Sequence, residues 1–341
     1  MPLKRRMEGE MISLTRRKPI TLNKLLKGFI LIFLIIMVLY PSASFKGATT
    51  GLLLWFHNVL PNLLPFIIVS NLIISLDIAD KISSFFFPLL GRIFNVSKNG
   101  CYPIIIGFLS GIPMGAKATS DLVEKGKISH HEGNFLITMC NNASPMFIIG
   151  YIAISALKLP HIKYTLFFII YISAIISALV SRLIYNIGVK RSNRFSFVKT
   201  QEIYLQDNRR QNPFSFEILD NSIMNGFEVI TKIGGYIILF SIIAQIISEI
   251  GPNTGYFKPI FMGIVEITTG INQICGTGLD IKTKIVLVAT LTSFGGLSGM
   301  AQTRSVLGNT RLSIGYYLFA KIVNASITFL LTSIYVYLLI N

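Results

Sequence analysis

Met139-Cys140-Asn141-Asn142-Ala143-Ser144-Pro145-Met146-Phe147-Ile148-Ile149-Gly150 interrupts an apolar run near the middle of this 341-residue chain. A proline beside two amides and a hydroxyl cannot continue a helix without freeing backbone groups. A bilayer core offers no water to satisfy them. Such a break is stable where it faces a cavity or other protein, and in carriers built from discontinuous helices it lies at the substrate site. A second break in a comparable apolar setting, Ser293-Phe294-Gly295-Gly296-Leu297-Ser298-Gly299-Met300, lies in the C-terminal half. Two interrupted spans in one chain point to transport.

The composition agrees. The chain is 52% hydrophobic and 13% charged, whereas soluble domains carry about a quarter charged residues, so a polytopic membrane protein is expected. A net charge of +16 could signal nucleic acid, but its placement argues against that partner. Lys4, Arg5, Arg6, Arg16, Arg17, Lys18, Lys24 and Lys27 precede the first apolar run, and Lys190, Arg191, Arg194, Lys199, Arg209 and Arg210 fill one polar loop. Basic residues at the ends of apolar spans follow the positive-inside rule, and they also attract anionic lipid. Cys101, Cys140 and Cys275 show neither metal nor redox spacing. The four histidines are scattered, so no metal and no cofactor are expected.

The order of segments then repeats. A basic arm (1–27) leads into a first transmembrane helix (28–45), retained rather than cleaved as a signal peptide. Gly51 to Leu76 forms a second span, bent by Pro61 and Pro65. Residues 79–96 mix Asp80, Lys81 and Arg92 with Phe85, Phe86 and Phe87, the pattern of a surface-lying or partly inserted helix. Tyr102 to Lys117 is too short to cross, and reads as one arm of a re-entrant hairpin with its tip near Gly111–Gly115. The broken span 134–157 and a span at 162–187 follow. Beyond the linker 188–215 come a span at 219–250, a hairpin with its tip at Thr268-Thr269-Gly270, the broken span 284–307 and a last span at 312–340. With a cytoplasmic N-terminus, the basic linker falls inside and the two halves are inverted relative to each other. The expected fold is all-α and polytopic, with inverted repeats, re-entrant helical hairpins and broken transmembrane helices. Inverted repeats of this kind belong to alternating-access carriers.

Gly51-Leu52-Leu53-Leu54-Trp55 with Pro61-Asn62-Leu63-Leu64-Pro65-Phe66, Ser110-Gly111-Ile112-Pro113-Met114-Gly115-Ala116-Lys117, and Asn141-Asn142-Ala143-Ser144-Pro145 together resemble the YlbJ-type sporulation integral membrane proteins. Those are similar to the wider nucleoside-recognition or gate domain family. The resemblance covers roughly residues 45–340. It implies two gate-like repeats, 46–187 and 216–341, in the mother-cell-derived outer forespore membrane. It also implies movement of dipicolinic acid, a small pyridine dicarboxylate. A nucleoside or another small solute is the alternative cargo, and a non-transporting membrane scaffold in spore assembly is the alternative role.

An anion held at mid-membrane needs hydrogen-bond donors and positive potential. Gly111, Pro113 and Gly115 form the first tip. Lys117 follows it, either pairing with a substrate carboxylate or snorkelling to the interface. Asn141, Asn142 and Ser144 bring polar side chains to the first break, as substrate ligands or as helix caps. Gly295, Gly296 and Ser298 are their counterparts in the second half, where glycine allows close approach of a ligand or of another helix. Arg304 is a second candidate anion clamp, with snorkelling as the other reading. Glu266 beside the second tip is the candidate for a coupling proton or sodium ion. The absence of acids near the first tip and break favours an anion. Self-association into a homo-oligomer is a further expectation.

Catalysis is not expected. Gly296-Leu297-Ser298-Gly299 matches the Gly-x-Ser-Gly of intramembrane serine proteases, but those need a histidine base on a later span, and no His follows His161. No His-Glu-x-x-His sequence and no phosphate-binding glycine loop is present either.

Overall fold

The computed structural model describes residues 20–76, 78–192, 214–251, 255 and 257–339. The expected basic arm up to residue 19 and the linker over 193–213 lie outside the described residues. Among the described residues all regular structure is helical. Four helices are long and apolar enough to cross a membrane, or up to six if each of two bent pairs counts as one span. The chain is an all-α, multi-pass membrane protein.

The first half opens with α1 (Ile20–Leu39). One continuous helix then starts at Pro41, as α2 (Pro41–Leu54), a π-helical segment (Trp55–Val59) and α3 (Leu60–Ser75). Proline at a first helical position is well tolerated, and Tyr40 supplies the non-helical residue before it. Here the expected first span is corrected. Residues 41–45 belong to the next helix, and the chain turns by 104° between α1 and α2. Next, α4 (Ile78–Phe94) lies at 95° to the end of α3. Its Phe85, Phe86, Phe87, Leu89 and Ile93 are exposed, the geometry of a helix along a membrane surface.

The rest of this half is a hairpin, a broken span and a straight span. The hairpin arms are α5 (Cys101–Ser110) and α6 (Met114–Glu124). The broken span is α7 (His130–Cys140) followed by a π-helical segment (Phe147–Ala156). Ser129 caps α7 by accepting from the Glu132 amide, while the Glu132 carboxylate accepts from the Ser97 amide. The straight span is α8 (Lys163–Ser192).

The second half repeats that order. A long helix α9 (Phe216–Ile250) is followed by hairpin arms α10 (Phe257–Val265) and α11 (Ile267–Cys275). The broken span is α12 (Ile281–Phe294) and α13 (Gly296–Val306), and α14 (Ile314–Ile334) closes the chain with a π-helical end, Tyr335–Leu339. The second hairpin tip is displaced from its expected place. It turns at Glu266, and Thr268, Thr269 and Gly270 lie in the first turn of α11.

Equivalent elements of the two halves pair antiparallel. The helices 41–75 and 216–250 are each 35 residues long. Asn71 Nδ2 donates to Ser222 O (3.1 Å), and Trp55 Nε1 donates to Ile230 O (3.0 Å). Gly47 lies against Ile242 and Gly51 against Ile238 and Ser241, so contacts run in opposite directions along the two chains. The four-residue spacing of Gly47 and Gly51 gives a small-residue seam of the kind that lets membrane helices approach closely. Ser177 Oγ donates to Ala320 O (2.7 Å). Leu166 packs in one apolar cluster with Val336, and Ala178 in another with Tyr317, so α8 and α14 also run antiparallel.

This order defines two ends of the molecule. The linker end carries residues 95–100, 125–129 and 307–313 and the flanks of the linker. The opposite end carries 157–162 and 276–280. Both hairpins and both broken spans have their interruptions between the two.

Candidate functional site

The first hairpin and first break form one unit. Ideal Cβ atoms on Gly107 and Gly115 would lie 2.0 and 2.2 Å from the Cys140 carbonyl oxygen, so only glycine lets that carbonyl sit between the arms. Gly111, at φ 76°, turns the tip. The Ile112 amide then donates to Asn142 O (2.8 Å).

The first break is braced by side chains. Asn141, fully buried, donates to Thr303 Oγ1 (2.8 Å) and Tyr317 Oη (3.0 Å) and accepts from the Ala116 amide (3.4 Å). Tyr317 in turn donates to the Asn141 carbonyl. Asn142 donates to Met139 O (2.7 Å), and its Oδ1 accepts from Lys321 Nζ (2.7 Å) and from Asn324 Nδ2 (3.5 Å). Ser144 accepts from the Phe147 amide and so caps the second segment. Asn141 and Ser144 thus tie the break together as cross-link and cap, and Ser144 also lines open space.

The second break carries no polar side chain of its own between its helices. Gly295, at φ 85°, ends α12 and starts α13, whose N-terminal amides have no side-chain cap. Its bracing comes from α14 instead. Asn324 donates to Ser293 O (3.2 Å) and Thr328 to Ser293 Oγ (2.7 Å). Ser298 is buried and accepts from Gln302 Nε2. Gly296 packs near the Gly263 carbonyl and the Ile267 amide. At the second tip, Glu266 is buried and N-caps α11, accepting from Thr268 Oγ1 and the Thr269 amide.

These interruptions converge. A central cavity of about 80 Å³ is lined by Ile112 of the first tip, Ala143 and Ser144 of the first break, Glu266 and Thr268 of the second tip, and Gly295 and Gly299 of the second break. Val59, Leu63, Ile233 and Ile237 of the crossed long helices complete it. Ile233 and Gln302 also line a vestibule of about 410 Å³ that reaches the linker end between Ser75, Glu124 and Gly308. That volume falls within the range of small-molecule sites, about 300–1,000 Å³.

Pro113 and Lys117 line the vestibule. Lys117 pairs with Asp121 (3.1 Å), and Lys232 opposite pairs with Glu228 (2.5 Å). With Glu124 these groups carry nearly balanced charge, so the vestibule wall is polar without being a strong anion attractor. Arg304 is exposed and lines neither space. The acid-free surroundings expected around the first tip and break do not extend to the cavity, because the second half brings Glu266 into its wall.

Toward the opposite end the same cavity is closed. Leu54, Ile148, Tyr151, Ile152, Ile271 and Ile274 are buried in one apolar cluster, and Tyr151 Oη donates to Thr268 O (3.1 Å).

The sequence reading passed over α14. Its Tyr317, Lys321, Asn324, Thr328 and Thr332 are all buried and recur at helical spacing, forming a polar stripe that reaches both breaks. The signal was present, since a lysine inside an apolar span with polar residues three and four positions away marks an inward-facing stripe.

Among proteins of known identity, the chain is similar to the sporulation integral membrane protein YlbJ of Bacillus subtilis (strain 168). The two are 26% identical over 322 residues, covering 87% of this chain and 79% of the relative. The YlbJ-type resemblance read from the motifs is therefore borne out. No family model matches the chain, and no solved structure matches it.

Proposed function

We propose that this protein is a membrane carrier that moves a small organic anion by alternating access, in sporulation. The observation that carries the reading is the cavity at which four helix interruptions meet, open through a vestibule to one end and sealed at the other. A scaffold has no use for such a passage, and nothing in the site calls for chemistry on the solute. The positive-inside rule assigns the linker end, which carries Arg92, Lys98, Lys125, Lys127 and Arg311 and from which the basic linker sequence departs, to the cytoplasm. The described conformation is then open to the cytoplasm.

Dipicolinate is the substrate that the resemblance implies. Two features support an anion. The uncapped N-terminus of α13 presents amide hydrogens and the positive end of a helix dipole at the cavity. Lys321 bonds Asn142, the residue that precedes the cavity-lining Ala143 and Ser144. Glu266 favours a second reading, a neutral polar solute such as a nucleoside, because a carboxylate and no cation line the cavity itself. As a proton- or sodium-linked group, Glu266 would respond to the solute directly. Uptake of labelled dipicolinate and of labelled nucleosides into liposomes holding the purified protein tests both. Saturable dipicolinate uptake that nucleosides do not inhibit supports the first reading. Nucleoside uptake alone replaces it with the second.

A further inference from the structure

Lys321 is 1% exposed in the middle of α14, and among the described residues its ammonium nitrogen makes one hydrogen bond, to Asn142 Oδ1 at 2.7 Å. An ammonium group has three donors. Two are left without a hydrogen-bonding partner in an interior where an uncompensated charge is very costly. Aromatic contact is weak compensation, with Nζ 5.4 Å from the Tyr317 ring centroid.

The groups facing Lys321 from its neighbours do not pair it. Among the described residues the titratable ones are Tyr317 on its own helix and Cys140 at the end of α7, whose thiol donates to Leu136 O. From α8, α12 and α13 come Ser177, Ser293 and Thr303, all neutral and all engaged elsewhere. Glu266, a buried carboxylic acid of the cavity wall, is held as the cap of α11 by Thr268 and Thr269. One turn on from Lys321, Asn324 donates through Nδ2 while its buried Oδ1 has no partner among the described residues. One buried amine and one buried carbonyl oxygen thus stand underused between two helix breaks, where carriers of this architecture coordinate a coupling cation.

We propose that Lys321 is the coupling site of the carrier and that its ligand is a proton. The amine takes up a proton from the vestibule as an anionic solute enters the cavity, and the two charges compensate each other. When the solute leaves, the ammonium releases the proton to water and returns to the neutral amine, so anion and proton travel together. A tethered amine here stands in for a sodium ion. The proposal rests on the anion-carrier reading for its substrate, but the protonation of Lys321 can be read without one.

Two measurements on the purified full-length protein test it. Dipicolinate binding to the wild type should weaken about tenfold per pH unit once the amine begins to lose its proton. Lys321→Arg, which keeps a charge through that range, should bind with a flat pH dependence, and Lys321→Gln should bind weakly throughout. A pH dependence that survives in Lys321→Gln overturns the proposal. Nitrogen NMR of Nζ-labelled lysine supplies the substrate-free readout. One lysine signal should titrate over the pH range in which the protein stays folded, and it should be missing from the Lys321→Arg spectrum. If every lysine signal lost on that substitution stays fully protonated throughout, Lys321 is a static counter-ion and the proposal falls. If dipicolinate does not bind at all while the signal titrates, the substrate reading fails and the proton site stands.

Discussion

Two regions of this protein are built from equivalent parts and packed differently. At the linker end, α6, the first half of α9 and α13 stand apart around a vestibule lined by Lys117, Asp121, Glu228 and Lys232. At the opposite end the corresponding parts are α11, the first half of the Pro41–Ser75 helix and the Phe147–Ala156 segment. There Leu54, Ile148, Ile152, Ile271 and Ile274 interdigitate, and Tyr151 bonds across to Thr268. The halves share an order of elements without sharing a conformation. An inverted pair that exchanged these two packings would open the cavity first to one side and then to the other, and in the proposed carrier the difference between the ends corresponds to one point of that cycle.

The strongest perturbation attacks the parts the halves have in common. Gly107→Ala would place a methyl group 2.0 Å from the Cys140 carbonyl, and Gly270→Ala one 2.0 Å from Gly263 Cα. Neither neighbour is a movable side chain, so each change should cost at least about 3 kcal/mol and leave little monodisperse protein in detergent. Equal losses support the equivalence of the two hairpins, and a stable Gly270→Ala protein would break it.

The seal comes next. Tyr151→Ala removes a buried ring and its bond to Thr268, and should cost the closed packing about 3 kcal/mol. In a Ser144→Cys reporter lacking the native cysteines, a membrane-impermeant thiol reagent should react from the linker end in the parent and from both ends once Tyr151 is replaced. Labelling confined to the linker end in both proteins would show that this cluster is not the closed gate.

Asn141→Ala tests the joint between halves. Its side chain ties the first break to Thr303 of the second half and to Tyr317. Loss of those bonds should lower thermal stability by about 2 kcal/mol, less than the glycine changes because the hydroxyl groups can turn to other acceptors. Lys117→Ala should do least. Its pairing with Asp121 is partly exposed, so stability should change by less than about 1 kcal/mol, and any slowing of uptake should fade at high salt. Complete and salt-independent loss of uptake would move Lys117 from the vestibule wall to the substrate.

Much of this architecture was legible because lipid punishes irregular backbone. Pro145, the Asn141-Asn142 pair and Gly295-Gly296 announced both breaks, and the short apolar runs around Gly111 and Glu266 announced both hairpins. Boundaries were less legible. The second tip was placed at Thr268–Gly270 for its turn-forming residues, whereas the Glu266 carboxylate captures the Thr269 amide and starts a helix there. Tyr40-Pro41 ended the first helix earlier than its hydropathy suggested. Lys321 was less legible because the last span is apolar enough to read as a plain crossing helix, and its polar residues form a stripe only once helical periodicity is laid over it. The contrast between vestibule and seal was beyond sequence reading altogether, since the two ends are built from equivalent elements and which end packs closed is decided by tertiary contacts.

The seam between the two 35-residue helices has a mechanical corollary. A Cβ on Gly47 would lie 2.7 Å from Ile242 Cα and one on Gly51 2.9 Å from Ile238 Cα, with the short Ser241 side chain beside Gly51. Contact this close leaves little room for one helix to slide along the other. In the proposed carrier the crossed pair would be the axle, with the hairpins and broken spans turning around it.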